Sequence, residues 1–205
     1  MDDPVYGRTN WRRFAVALGV PAVVAGGLVF GVASGALAAS FSVSGTQFKL
    51  SADSLEGSGF TQYSGRLPTE KVQESTGEKY VVAAMSGIDQ AEITNLCQTV
   101  AVGPIVLRIE AGKDAANPVQ ASDLLIGMSE LSGDATFKNI DIGQDASTLD
   151  KDGRDDHGEV GSFGQQADSV RIEGLRQIAY STSASTFKLS GMSLTLNVGN
   201  GKECF

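Results

Sequence analysis

The chain has 205 residues, 41% of them hydrophobic, with 16 basic against 24 acidic side chains and a formal net charge of −8. That length suits one ordinary domain plus a short extra segment, and the composition is too apolar and too weakly charged for a disordered chain. The negative balance argues against nucleic acid as a partner, because phosphate binding needs a basic face.

The first element is a leader. Arg8, Arg12 and Arg13 precede an uncharged apolar run over residues 14–39, and the next charge of either sign is Lys49. Positive charge ahead of an apolar run keeps the N-terminus in the cytoplasm and sends the rest of the chain outward. The run is long enough to cross a bilayer, for which about 20 residues suffice. It closes on Ala36-Leu37-Ala38, with small side chains at Ala36 and Ala38 as a signal peptidase requires. Two fates stay open: cleavage after Ala38, or retention as a membrane anchor. The organisation is therefore a signal peptide or anchor over residues 1–38 and an exported domain over 39–205.

Downstream, apolar residues recur with a period of two. Phe48 and Leu50 alternate with polar neighbours, as do Val170 and Ile172, and Met192-Ser193-Leu194-Thr195-Leu196-Asn197-Val198 alternates throughout. Residues 105–110 and 121–128 read as strands of more buried character. Clusters of Gly, Ser, Asn and Asp separate these runs, and no amphipathic helix is evident. The expected fold is all-β: a layered or sandwich-like sheet of short strands, or an open taco-like stack, preceded by one hydrophobic export helix. There are internal echoes. Residues 48–55 match 187–194 at six of eight positions, and Ala52-Asp53-Ser54-Leu55 recurs as Ala167-Asp168-Ser169-Val170. Ala91-Glu92-Ile93-Thr94-Asn95-Leu96 and Ala135-Thr136-Phe137-Lys138-Asn139-Ile140 are looser relatives.

Cys97 and Cys204 are the only cysteines. In an oxidising compartment an even pair reads as one disulfide, and a closed loop of roughly 100 residues contributes about 4.7 kcal/mol on the chain-entropy model. No serine has glycine two positions away on both sides, and Gly191-Met192-Ser193-Leu194-Thr195 comes closest but lies in an alternating strand, so a nucleophile elbow is missing. The one histidine, His157, falls in an acidic stretch expected to be an exposed, solvated loop. Asp150, Asp152, Asp155, Asp156 and Glu159 in that stretch offer the hard oxygen ligands that calcium prefers, although the glycine is misplaced for an EF-hand. Nothing favours zinc, and no other cofactor is implied. The seven phenylalanines of the exported part are core residues or the lining of an apolar groove.

Several blocks resemble a family of actinobacterial, streptomycete-type exported cell-envelope proteins of unknown function. They are Tyr6-Gly7-Arg8-Thr9-Asn10-Trp11-Arg12-Arg13-Phe14, Leu55-Glu56-Gly57-Ser58-Gly59-Phe60-Thr61-Gln62, Ile93-Thr94-Asn95-Leu96-Cys97-Gln98, Asp134-Ala135-Thr136-Phe137-Lys138-Asn139-Ile140-Asp141-Ile142-Gly143, and Lys202-Glu203-Cys204-Phe205. The resemblance implies a place at the cell surface and a neighbouring small multispanning membrane protein as partner. Some such proteins carry an automatic label of cholesterol esterase. The expectation is a non-enzymatic exported protein, secreted or anchored by residues 14–39, that binds a lipid or apolar ligand or docks on a membrane partner. The alternatives are a structural protein that forms homo-oligomers through its sheet edges, and an ester hydrolase with an atypical site.

Overall fold

The computed structural model describes residues 41–42, 46–69, 77, 79–102, 104–155, 157–198 and 202–205. The leader, with Ala36 and Ala38, and Asp156 lie outside the described residues. Among the described residues, ten strands form one antiparallel sheet: β1 (Phe41–Ser42), β2 (Phe48–Pro68), β3 (Tyr80–Thr94), β4 (Leu96–Val102), β5 (Ile105–Ala111), β6 (Val119–Lys138), β7 (Asp141–Asp145), β8 (Phe163–Ser183), β9 (Thr186–Lys188) and β10 (Ser193–Val198). The all-β expectation holds, and the helical content among the described residues is one 3-10 turn, Ala146–Thr148.

The strands are not short. β2, β6 and β8 run to 21, 20 and 21 residues, because the Gly and Asp positions that read as strand ends are bends inside strands. Gly59, Asp123, Gly133 and Gly174 have φ of 64°, 49°, 150° and 61°. A positive φ steps the pleat without breaking the ladder, so a strand turns a corner and continues. In β2 the inward positions run Phe48, Leu50, Ala52, then Leu55 and Gly57, then Phe60. These bends let four long strands coil until they close on themselves: β8 pairs β6, β6 pairs β3, β3 pairs β2, and β2 pairs β8. Closure removes edges that would otherwise be open to other chains. The ring encloses the main core, with Leu55, Phe60, Ile88, Ile93, Leu124, Ile126, Val170, Ile172 and Leu175 all nearly inaccessible.

The ring is internally duplicated. Ala52-Asp53-Ser54-Leu55 of β2 and Ala167-Asp168-Ser169-Val170 of β8 occupy equivalent places, followed at equal spacing by the bends Gly59 and Gly174 and the buried Phe60 and Leu175. Their partners match as well. Ser54 faces Thr94 as Ser169 faces Lys138, and Ser51 faces Cys97 as Gln166 faces Asp141. Asn95 and Asn139, with φ of 54° and 51°, bend the partner strands at corresponding points. Asn95 Nδ2 donates to Asp53 Oδ2 at 3.1 Å, and Asn139 Nδ2 donates to Asp168 Oδ2. Glu56 and Arg171 are each other's equivalents and also pair directly, which puts their ion pair on the pseudo-twofold axis. The weaker sequence echoes thus mark the duplication. The stronger one does not: Phe187 and Lys188 sit in the short strand β9, which pairs β6 and has no role like that of Phe48 and Lys49 in β2.

Outside the ring, β4, β5 and β10 extend the sheet from the N-terminal end of β2, in the order β2-β4-β5-β10. This extension carries the candidate site.

Candidate functional site

Directly opposed residues of an antiparallel pair point to the same face, so the strand registers define both faces of the β4–β5–β10 extension. One face carries the rows Gln98–Ile109–Leu194, Val100–Leu107–Leu196 and Val102–Ile105–Val198. Eight of these nine side chains are apolar and none is charged. The face continues the core-lining side of β2, since Leu50 opposes Gln98 and the buried Phe48 borders the same notch as Val100 and Leu107. The ring interior therefore opens into a sheet whose apolar side has no covering layer among the described residues. Exposure rises along β10, from 52% at Leu194 to 65% at Leu196 and 76% at Val198. Val102 and Ile105, at the β4–β5 turn, are also exposed. Contiguous apolar patches are uncommon on the surface of a folded domain.

The expectation of buried character for β5 is met in part: Val106 and Ala111 are buried, Leu107 and Ile109 are half-buried and Ile105 is exposed, and among the described residues no second layer lies over the last three.

The opposite face is closed by the C-terminal tail. Cys204 is joined to Cys97, as expected from the cysteine count. The Cys204 N–H donates to Thr99 Oγ1 at 3.3 Å, and Arg108 Nη1 donates to the carbonyls of Lys202 and Glu203 at 3.4 and 3.5 Å. Lys49 Nζ pairs with Glu203 at 2.9 Å, and its ammonium lies over the Phe205 ring. One face of the extension is thus capped and polar, and the other is apolar and uncovered among the described residues.

The acidic loop differs from expectation. Asp145 caps the 3-10 turn by accepting from the Ser147 N–H at 3.0 Å, and it holds the far side of the loop through the Gly161 N–H at 2.8 Å. These bonds, led by Ser147, keep its carboxyl below the usual aspartate range. Asp152 is fully buried. It accepts from Thr61 Oγ1 at 2.7 Å and the Arg154 N–H at 3.3 Å, and lies 2.8 Å from His157 Nε2. The His157 ring, expected to be solvated, has 2% of its side chain exposed and stands edge-on to Tyr63. The reason is a vacancy. Gly87, opposite Thr61 across β2–β3, lacks the Cβ that would collide with Asp152 Oδ2, so the loop plugs into the sheet there. A lone glycine inside an apolar strand is the sequence signal for such an approach.

Of the candidate calcium ligands, Asp150, Asp155 and Glu159 are exposed and Asp152 faces inward with its oxygens hydrogen-bonded. Among the described residues, no group of three His, Cys, Asp or Glu side chains converges as a metal cradle. A hydrolytic triad would need a serine beside the Asp152–His157 pair; among the described residues no serine hydroxyl is hydrogen-bonded to the His157 ring, and Ser162 Oγ, nearby, donates to the Glu159 carbonyl at 2.7 Å.

A wide depression of about 660 Å³ lies over the pseudo-dyad. Its charged groups satisfy one another: Arg171 pairs with Glu56 and Glu173, and Gln120 links Glu92 to Lys188. Lys138 also lines the depression, and no aromatic ring does so among the described residues.

Fold and surface together define a class: a small, internally duplicated β-ring with a disulfide-backed sheet whose apolar side is open. The chain belongs to a family of unknown function, DUF6230, whose model matches residues 44–205. Neither a curated protein nor a solved structure matches the chain.

Proposed function

We propose that this is a non-enzymatic, exported cell-envelope domain that works by binding, and that the β4–β5–β10 face takes an apolar partner: a lipid, or the apolar surface of a membrane protein such as a small multispanning neighbour. The observation that carries this reading is the three-by-three array with eight apolar side chains and no charge. Export is the expectation from the arginine-flanked apolar leader, and a disulfide suits the compartment beyond the membrane. Mass spectrometry of the native protein with its co-purified material is the direct test. Bound lipid or a stoichiometric membrane protein is expected with the wild-type chain and is lost in L196D. Retention of the same material by L196D would remove the reading.

A second reading has its own support. The outer edge of β10 pairs with no strand among the described residues, and the strand is uncharged and free of proline, which makes it a template for edge-to-edge assembly. Size-exclusion chromatography separates the two, since assembly predicts large species and binding predicts a monomer with its partner.

A further inference from the structure

We infer that the occupant of the β4–β5–β10 face is the surface of a lipid bilayer, the one from which residues 14–39 lead into the domain. The inference rests on the reading of this face as a binding face and adds its partner and orientation.

The argument is topological. β1 pairs Thr182 and Ser181 of β8, just beyond Ala179, which opposes Phe48. β1 therefore continues the line of β2 past its N-terminal end. β4 runs antiparallel to β2, so Val102 points the same way, and Ile105 and Val198 lie beside it. The point of entry of the chain, the β4–β5 turn and the last residue of β10 all stand at one end of the molecule. An uncharged apolar run of 26 residues precedes that end in sequence, separated from Phe41 by Ser40. If that run occupies a membrane, the bare face reaches the same membrane with no linker to spend.

Surface chemistry favours lipid over a charged partner. Residues 96–107 and 191–201 contain no charged side chain, on a chain whose net charge is −8. The rising exposure from Leu194 to Val198 runs toward the entry end, as an insertion gradient should. The backbone groups on the free edge of β10 need water, so the strands lie in the interfacial zone and do not enter the hydrocarbon. Because the contact is apolar and the domain acidic, attachment persists at high salt, unlike a polybasic contact.

The test uses the full chain reconstituted in phosphatidylcholine–phosphatidylglycerol vesicles. An environment-sensitive fluorophore is placed on V102C, V198C or T195C; the native cysteines are bonded to each other and leave one reactive thiol in each variant. Thr195 is in the same strand as Val198 but on the other face. Nitroxides on the lipid chains should quench labels at 102 and 198 several-fold more than the label at 195, and aqueous iodide should show the reverse. Adding V198D to the V102C variant should abolish the lipid quenching while leaving the circular dichroism spectrum unchanged. Shielding of 102 and 198 from iodide without lipid quenching would mean that protein covers the face, which overturns the bilayer and leaves the binding reading standing. Equal iodide quenching at all three positions would overturn both.

Discussion

At the scale of single residues, the sharpest dependence is between Gly87 and Asp152. A Cβ at Gly87 would lie 1.8 Å from Asp152 Oδ2 and 2.7 Å from Thr61 Oγ1, so one of the three must leave its place. Gly87→Ala is expected to cost about 1–3 kcal/mol, the usual range for overpacking, and to release the loop over residues 150–159. Asp152→Ala removes the carboxylate and leaves Thr61 and His157 without it, a loss of about 1–3 kcal/mol for newly unsatisfied buried groups. Urea unfolding of both variants checks this, with the iodination or alkylation rate of His157 as the local readout. Unchanged midpoints and an unreactive histidine would show that the plug is dispensable. The Asp53–Asn95 and Asp168–Asn139 bonds act differently. They hold bends whose asparagines already favour positive φ, and they are exposed, so each works by shaping the strand more than by burial.

At the scale of elements, the extension depends on its covalent tie. Among the described residues β10 pairs with the sheet through β5 alone, and the tail behind it returns to β4 through the disulfide. Reduction of Cys97–Cys204, or a C97S/C204S chain, is expected to lower stability by about 2–5 kcal/mol. Hydrogen exchange should then rise first in β5 and β10, with the four-strand ring following only on global unfolding. Simultaneous loss of protection in ring and extension would refute that hierarchy. Strand positions were legible here from local pattern: alternation placed Phe48 and Leu50 in β2, Val170 and Ile172 in β8 and 193–198 in β10, and the more buried run over 121–128 falls in β6. Strand lengths were not, because Gly59, Asp123 and Gly174 look the same in sequence whether a strand ends there or bends. The choice is made by the neighbouring strand, which either keeps its register across the bend or does not.

For the whole molecule, the ionic surface sets the response to acid. Asp168 is held below the usual aspartate range by the Asn139 amide and then by Lys151, and Asp145 by Ser147. Asp114 is held low by Asn117, and Glu110 by Arg108. A carboxyl with a depressed folded-state value contributes stability that is full above its unfolded value, near 4, and is lost as pH falls through the folded value. The thermal midpoint should therefore stay level from neutral pH to about 5 and decline below about 4, with a shallower decline in D145N. Lys151 is raised by Asp168, so its share is complete below the ordinary lysine value and fades only in strong alkali. Calorimetry over that pH range is the measurement, and a midpoint that falls between pH 7 and 5 would point to groups other than these carboxyls.

What the amino-acid sequence determined by itself was whatever depends on local pattern or composition: an apolar N-terminal run ahead of an acidic remainder, alternation that favours strands, and two cysteines with no other partner to choose. Tertiary structure decided what depends on which strands meet. Closure of β8 on β2 turned faint echoes into an internal duplication and gave the louder echo of residues 187–194 no such meaning. It sent His157 inward, because the vacancy at Gly87 lies some 70 residues away in the chain. Among the described residues it also left the apolar side of β4, β5 and β10 without a covering layer. Alternation shows that a strand has an apolar face, but whether anything covers that face depends on how many layers the fold brings to it, and here the ring had already closed on its own core.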